Sequence, residues 1–177
     1  EVPASWSNPE ADAPAKEIQG RPEVVKMVKD LLEPISKMDG DSLPVSAFID
    51  NPDGQFETGA SAYEKRGTAV TVPTWDPETC IQCNNCAFVC SHATIRPFLL
   101  SEDEVKAAPS NIKLADTKPK AGEYKFAMSV SPLDCMGCGE CITVCPKASE
   151  GAIKMVPQAE EADEQPVFDY LVANVGK

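Results

Sequence analysis

The sequence lacks cysteine almost everywhere. All eight cysteines lie in two short stretches, residues 80–90 and 135–145, so none is left for the spread of disulfides that stabilises small secreted proteins. No apolar run approaches the length of a transmembrane helix, and the N-terminus has neither the basic start nor the apolar core of a signal peptide. We therefore expect a cytoplasmic protein that does not span a membrane. Because the chain begins at Glu1 rather than at a methionine, we also expect it to be a piece of a longer protein.

A basic stretch is also missing. The formal net charge is -12, and the excess of acids lies in the two flanks, because residues 80–157 carry eight acids and eight bases. A protein that binds nucleic acid or an anionic membrane surface usually presents a cluster of Lys and Arg. We therefore expect neither nucleic acid nor a membrane as a partner.

The hydrophobic pattern predicts an α+β chain with one clear helix near its start. Residues 22–38 place apolar side chains at helical spacing, after a stretch (1–20) that has the composition of coil. Residues 101–123 form a polar insertion with a helical turn at 102–107, and residues 158–177 have the composition of acidic coil with an apolar end. Short strands are predicted in five segments: 43–50, 67–73, 94–100, 124–130 and 151–157.

The two cysteine stretches form an internal repeat. "CIQCNNCAFVC" and "CMGCGECITVC" share the spacing C-x2-C-x2-C-x3-C, which is typical of bacterial iron–sulfur proteins. Two residues between ligands let the chain step across neighbouring irons of one cube, so three cysteines of a run bind one cluster. The fourth cysteine, three residues further on, ligates the other cluster. Because strands flank each run, the repeat predicts a two-[4Fe–4S] ferredoxin-like fold.

The spacing therefore predicts two clusters that exchange their fourth ligands. The ligands of the first cluster are Cys80, Cys83, Cys86 and Cys145. The ligands of the second cluster are Cys135, Cys138, Cys141 and Cys90. The single histidine, His92, is interpreted as a turn residue, because eight thiols already complete both clusters.

Other interpretations of the cysteines remain open. A zinc site usually has pairs of close cysteines separated by a longer stretch, with four ligands in all, and such a protein would be a colourless structural or interaction module. A free-standing two-cluster ferredoxin, or an electron-transfer subunit of another oxidoreductase, would also carry these runs. Residues 1–70 argue against a free ferredoxin, since a small carrier has no need of them.

The residues beside the cysteines suggest further roles. Gly137 and Gly139 should let the backbone approach the second cluster, and Asn84 and Asn85 occupy the corresponding loop of the first. Four apolar side chains near the motifs are expected to keep the clusters dry: Phe88, Ile95, Ile142 and Ile153.

The residue after the fourth cysteine differs between the runs. Pro146 follows Cys145, whereas Ser91 follows Cys90, and proline has no backbone N–H. Ser91 is either an ordinary turn residue or an additional hydrogen-bond donor to a cluster sulfur, which would raise the reduction potential of that cluster.

Segments beyond the cysteines resemble pyruvate:ferredoxin oxidoreductase. They are "SLPVSAF", "TGASAYEKRGTAV" and "VPTWDPETCIQCNNCAFVCSHATIRP", and the resemblance covers roughly residues 22–157. The most specific parts are "YEKRG" and "CIQCNNCAFVC"; taken alone, "YEKRG" would be only a charge cluster before a strand. Ser91 departs from the family pattern, which has proline there.

The resemblance implies that the chain is the electron-transfer part of a much longer anaerobic enzyme. That enzyme oxidises pyruvate to acetyl-CoA and CO2, and it binds thiamine diphosphate, magnesium, coenzyme A and a third [4Fe–4S] cluster on other domains. The chain itself has no catalytic centre; it would pass single electrons from the thiamine-bound intermediate through two clusters to ferredoxin or flavodoxin. The other implied partners are the remaining domains of the parent enzyme, which is expected to be a homodimer.

The resemblance also divides the chain into four parts. Residues 1–40 would be a linker and helix from the end of a preceding domain, and residues 41–68 a connecting module. Residues 69–157 would form the two-cluster domain, followed by an acidic tail or linker at 158–177.

Overall fold

The computed structural model describes residues 18–118 and 122–176, so most of the predicted coil at residues 1–20 lies outside the described residues. The chain divides into two compact units, residues 1–64 and 65–177. The finer division that we expect, at residues 40, 68 and 157, stays a prediction. Within the described ranges, no helix is long and apolar enough to cross a membrane.

The N-terminal unit contains the expected helix. α1 (Pro22–Met27) continues through a π-helical turn (Val28–Leu32) into α2 (Glu33–Ser36). Pro34 accounts for the wide turn, because it has no N–H to donate to the carbonyl of Asp30 and its ring would clash with that carbonyl in a regular α-helix. The buried side chains are Val24, Met27, Val28 and Leu31.

The strand predicted at residues 43–50 is wrong. The structure has a 3₁₀ turn at Val45–Phe48 instead, and further 3₁₀ turns at Gly40–Ser42 and Ala60–Tyr63. An extended segment needs a neighbouring strand for its backbone groups, whereas the tight turns satisfy these groups locally. The Tyr63 hydroxyl donates to the carbonyl of Gln19 at 2.9 Å and so ties the end of this unit to its described beginning.

In the described residues of the second unit, three of the other predicted strands are confirmed, and the one predicted at 67–73 lies instead at 71–75; there is also one short additional strand. The five strands are β1 (Thr71–Trp75), β2 (Ile95–Leu100), β3 (Ala115–Asp116), β4 (Lys125–Val130) and β5 (Ile153–Pro157). β1 pairs with β5, and a second antiparallel sheet has the order β2-β4-β3. Each sheet thus joins a strand that precedes a cysteine run to a strand that follows one.

The part of this unit that the structure describes also contains four α-helices. They are α3 (Asn85–Val89), α4 (Glu102–Ala107), α5 (Glu140–Thr143) and α6 (Glu164–Asn174). α3 and α5 each lie inside a cysteine run, which continues the repeat into the structure. α4 is the expected helical turn of the insertion, and Ser101 and Glu104 form a reciprocal capping box at its start.

β4 separates two hydrophobic layers. Its side chains alternate with the period of two that a strand imposes: Phe126, Met128 and Val130 belong to the layer that contains cysteines, whereas Ala127 packs with α6. The layer on the α6 side also contains Phe98, Leu100, Val167, Leu171 and Val175. The strand is therefore covered on both faces, and the cysteines lie on one of them.

The coil predicted for residues 158–177 is wrong, because most of this segment is α6. Two polar residues at the start of the helix hid its buried face in the sequence. Glu164 accepts a hydrogen bond from the Ser129 hydroxyl at 2.6 Å, and Gln165 accepts one from the Ser131 hydroxyl at 2.9 Å. Burial raises the pKa of Glu164 above its ordinary value, and these bonds satisfy polar groups that the helix buries.

We expect Leu171→Ala to destabilise the second unit by about 2–5 kcal/mol, because it removes a fully buried side chain and leaves a cavity. Leu171 is 0% exposed, whereas its neighbour Val172 is 47% exposed. Val172→Ala is therefore the matched control, with an expected change within about 0.5 kcal/mol. Urea denaturation followed by circular dichroism measures both, and equal effects would contradict the placement of α6.

Candidate metal centre

The two cysteine loops have the same backbone conformation at corresponding positions. Gln82 and Asn84 adopt φ values of 60° and 62°, and Gly137 and Gly139 adopt 70° and 77°. Each pair flanks the second cysteine of its run. Asn84 thus occupies the loop as expected, whereas Asn85 begins α3. The repeat therefore extends from the spacing of the cysteines to the shape of the chain between them.

Each loop directs a backbone N–H toward the first sulfur of its run. The N–H of Gln82 donates to Cys80 Sγ at 3.3 Å, and the N–H of Gly137 donates to Cys135 Sγ at 3.4 Å. Hydrogen bonds of this kind favour the thiolate, which is the form that binds a metal. Both loops are thus shaped to stabilise negative charge on sulfur.

The insertion fastens the first loop through Gln82. The Gln82 side-chain amide donates to the carbonyl of Asp116 and accepts from the N–H of Lys118, both at 2.7 Å. Lys118 Nζ also donates to the carbonyl of Cys80 at 3.0 Å. The left-handed conformation costs a residue that has a Cβ atom roughly 1–2 kcal/mol, and these hydrogen bonds offset that cost. The polar insertion therefore supports the cysteine loop.

Cysteines from both runs line one cavity. Its apolar walls include Trp75, Met128 and Ile153. The cysteines that line it are Cys80, Cys83, Cys86 and Cys145. Cys145, the fourth cysteine of the second run, thus meets the first three of the first run, which is the arrangement that an exchange of fourth ligands requires.

The residues around this cavity fit an iron–sulfur cluster. Each iron of such a cluster takes one thiolate, and all eight cysteines of the chain are free. Within residues 18–118 and 122–176, the buried Trp75 Nε1 has no hydrogen-bond partner, and an N–H group left in this state needs an acceptor such as a cluster sulfur. In the same ranges, no three Cys, His, Asp or Glu side chains are close enough together to hold a single metal ion. This agrees with thiolates that each bind a different iron of a cluster.

Thr94 connects Cys90 with the second run. Its hydroxyl lies 3.4 Å from Cys90 Sγ, and its N–H donates to the same sulfur at 3.4 Å. The N–H of Ser131 donates to the carbonyl of Thr94 at 2.7 Å, and the N–H of Cys135 donates to the carbonyl of Ser131 at 3.1 Å. Hydrogen bonds through Thr94 and Ser131 thus link the fourth cysteine of the first run to the first cysteine of the second.

Burial keeps the deepest thiols protonated in the absence of a positive partner. It raises the pKa of Cys86 to about 12 and that of Cys141 to about 11, and it also raises the pKa of Cys135. A buried thiolate requires a compensating positive charge, which a bound metal supplies. Occupation of the site and loss of these protons are therefore linked events.

Cys90 differs from these thiols because hydrogen bonds outweigh its burial. Burial raises its pKa, but the hydroxyl of Thr94 and the N–H groups of Thr94, His92 and Ile95 lower it, and the result lies below the ordinary value. The donors that the structure gives to this sulfur thus come from other residues than Ser91. Ser91 and His92 are exposed and lie in a turn, which agrees with their interpretation as turn residues.

Three of the four apolar residues that we expected to line the site do so. Ile95 and Ile153 are buried in the layer that contains the cysteines, and Ile142 packs against it. Phe88 is the exception and corrects our expectation, because it is 88% exposed. Helical spacing turns Cys86 and its neighbours at positions 89 and 90 toward the core, which leaves Phe88 on the opposite face of α3.

Sequence reasoning missed Thr94, Gln82 and Lys118. A hydroxyl residue stands four positions after the last cysteine of both runs, but Thr94 is buried and Ser149 is exposed, so this pattern alone does not identify Thr94. The contact of Gln82 with Lys118 joins residues 36 positions apart, and no local sequence pattern predicts such a contact.

Comparison with known proteins agrees with this geometry. A family model described as a 4Fe-4S dicluster domain matches residues 79–149, and one described as EKR, a domain of unknown function, matches residues 11–69. A pyruvate-flavodoxin oxidoreductase of Klebsiella pneumoniae is 44% identical over 97% of this chain and 14% of its own length. A pyruvate:ferredoxin oxidoreductase of Moorella thermoacetica is 47% identical over 89% of this chain and 13% of its own length.

The chain is homologous to one segment of these oxidoreductases. Its second unit carries the dicluster domain, and the predicted α+β class and two-[4Fe–4S] content are confirmed. The chain spans only about an eighth to a seventh of the length of these two relatives. A relative with another printed activity, a pyruvate dehydrogenase [NADP(+)] of Cryptosporidium parvum, is 44% identical over 85% of this chain and 8% of its own length.

We expect Gly137→Ala to damage the second loop of the dicluster domain far more than Gly139→Ala. Both glycines have positive φ, so both variants carry the cost of about 1–2 kcal/mol for a left-handed residue. A Cβ atom at Gly137 would also lie 2.9 Å from the carbonyl oxygen of Thr71, whereas a Cβ atom at Gly139 meets nothing within 4 Å. Iron content and urea denaturation measure the difference, and equal behaviour of the two variants would contradict this packing.

Proposed function

We propose that the chain relays single electrons as the electron-transfer segment of a pyruvate:ferredoxin or pyruvate-flavodoxin oxidoreductase. The observation that carries this proposal is the meeting of Cys145 with Cys80, Cys83 and Cys86 around one cavity. The exchanged cysteine joins two cluster sites into one unit. When bound, [4Fe–4S] clusters accept and release one electron at a time.

The eight cysteines hold the two clusters in crossed sets. The first cluster site comprises Cys80, Cys83, Cys86 and Cys145. The second cluster site comprises Cys135, Cys138, Cys141 and Cys90. The buried side chains around both sites exclude water, and the backbone N–H groups of Gln82 and Gly137 stabilise thiolate charge.

The arrangement of the thiols supports passage of electrons through the domain. Cys86 packs against the buried hydrophobic cluster that contains Cys141 of the other site, so the two sites are neighbours inside the same core. Cys83 and Cys138 are exposed and bring an edge of each site to the surface. Electrons enter at one exposed edge and leave at the other, with no bond chemistry performed by the chain.

The donor and acceptor follow from the relatives. Their printed names support pyruvate as the source of electrons and ferredoxin or flavodoxin as the acceptor. Thiamine diphosphate, magnesium, coenzyme A and a third cluster belong to the remaining domains, and the whole enzyme is a cytoplasmic homodimer in this proposal. The match at residues 11–69 favours such a segment over a free-standing ferredoxin.

Cys90→Ala and Cys145→Ala test the crossed ligand sets. We expect Cys90→Ala to perturb the second cluster site and Cys145→Ala to perturb the first. Each of these cysteines belongs to one run but is a proposed ligand of the cluster that the other run binds. Electron paramagnetic resonance of the reduced chain, with two spectroscopically distinct clusters, reads out which site has changed. Damage confined to the cluster of the same run in both variants would refute the exchange.

The relay itself is tested with the reduced, cluster-loaded chain under anaerobic conditions. We expect it to reduce a small ferredoxin or a flavodoxin, measured by absorbance in a stopped-flow experiment. We expect no pyruvate turnover with thiamine diphosphate, magnesium and coenzyme A, because the chain has no catalytic centre. The cluster-free chain is the control. Failure to reduce either carrier, or turnover of pyruvate, would overturn the proposal.

A further inference from the structure

Thr94 places two hydrogen-bonding groups beside the sulfur of one cysteine. Its side chain is buried, with 4% exposed, and both its hydroxyl and its N–H lie 3.4 Å from Cys90 Sγ. Its carbonyl accepts a hydrogen bond from the N–H of Ser131 at 2.7 Å. This last bond fixes the backbone of Thr94 against the end of β4, so both donors are held in place.

The direction of the hydroxyl bond follows from the chemistry of the ligand. In a free thiol, either Cys90 Sγ or Thr94 Oγ1 can be the donor. An iron-bound cysteine is a thiolate without a proton, so the sulfur must then accept and the Thr94 hydroxyl must donate. Together with the backbone N–H, Thr94 supplies two donors to one ligand sulfur of the second cluster site.

We propose that Thr94 sets the reduction potential of the cluster held in the second site, acting through its hydrogen bonds to the ligand Cys90. The inference rests on the proposed function, because it requires that the second site holds a cluster. Reduction adds negative charge to the cluster and its thiolates, and a donor stabilises that charge. Thr94 therefore raises the potential of the second cluster.

The first cluster site does not repeat this arrangement. Ser149, at the position of the second run that corresponds to Thr94, is exposed, whereas Thr94 is buried. The two crossed ligands thus differ in their hydrogen bonding although their runs have the same spacing. This difference separates the potentials of two clusters that the repeat would otherwise make alike.

Redox titration followed by electron paramagnetic resonance tests the proposal on the cluster-loaded chain. Thr94→Val removes the hydroxyl and keeps a similar shape and the backbone N–H. We expect it to shift the potential of the second cluster to a more negative value and to leave that of the first unchanged. Thr94→Ser, which keeps the hydroxyl, should restore the potential of the unmodified chain. Ser149→Ala, the matched change at an exposed hydroxyl, should shift neither potential.

Iron analysis and the iron–thiolate stretching bands in resonance Raman spectra accompany each titration. If Thr94→Val does not assemble the second cluster, Thr94→Ala replaces it in the same comparison. Both clusters intact with unchanged potentials in Thr94→Val, or a shift that Thr94→Ser does not reverse, would overturn the role of Thr94. An unmodified chain that binds no cluster would instead overturn the proposed function.

Discussion

The meeting of Cys145 with Cys80, Cys83 and Cys86 at one cavity is the constraint on which the rest of this structure depends, and the proposed exchange of fourth ligands rests on it. Three cysteines in a run can be presented by one loop, but the fourth must come from the other half of the domain. The chain between the runs therefore has to return each fourth cysteine to the opposite loop. The two antiparallel sheets do this, because β1 pairs with β5 and β2 pairs with β4. Strand pairing would thus be coupled to cluster binding, because each proposed ligand set needs cysteines from both halves of the domain.

β4 connects the layer that contains the cysteines to the remainder of the second unit. One face contributes Phe126 and Met128 to the layer that contains the cysteines, and the opposite face packs on α6. α6 is in turn anchored by hydrogen bonds of Glu164 and Gln165 to serines of β4 and its continuation. The acidic C-terminal segment thus covers the far side of the strand that walls the first cluster site. Glu164 and Gln165 can be buried because each of them accepts a hydrogen bond from a serine hydroxyl.

The spacing of the cysteines predicted the repeat, and the hydrophobic pattern predicted the α+β class and three of the strands, because local patterns determine these features. The same local patterns failed for residues 43–50, where a strand-like composition has no partner strand in the described part of its unit. They also failed for α6, because its buried face includes the polar residues Glu164 and Gln165 and therefore does not show a continuous apolar pattern in the sequence. Phe88 was misplaced because an apolar residue between two ligands was assumed to be buried. Thr94, Gln82 and Lys118 depend on contacts made by the folded chain, which the sequence does not display.

The most direct test of the crossed clusters is anomalous diffraction at the iron edge from crystals of the anaerobically purified chain. We predict two separate groups of four irons. One group should lie in the cavity bordered by Cys80, Cys83, Cys86 and Cys145, and the other beside Cys90 and Cys135. A single metal ion at either site, or a group of irons bound by all four cysteines of one run, would contradict it.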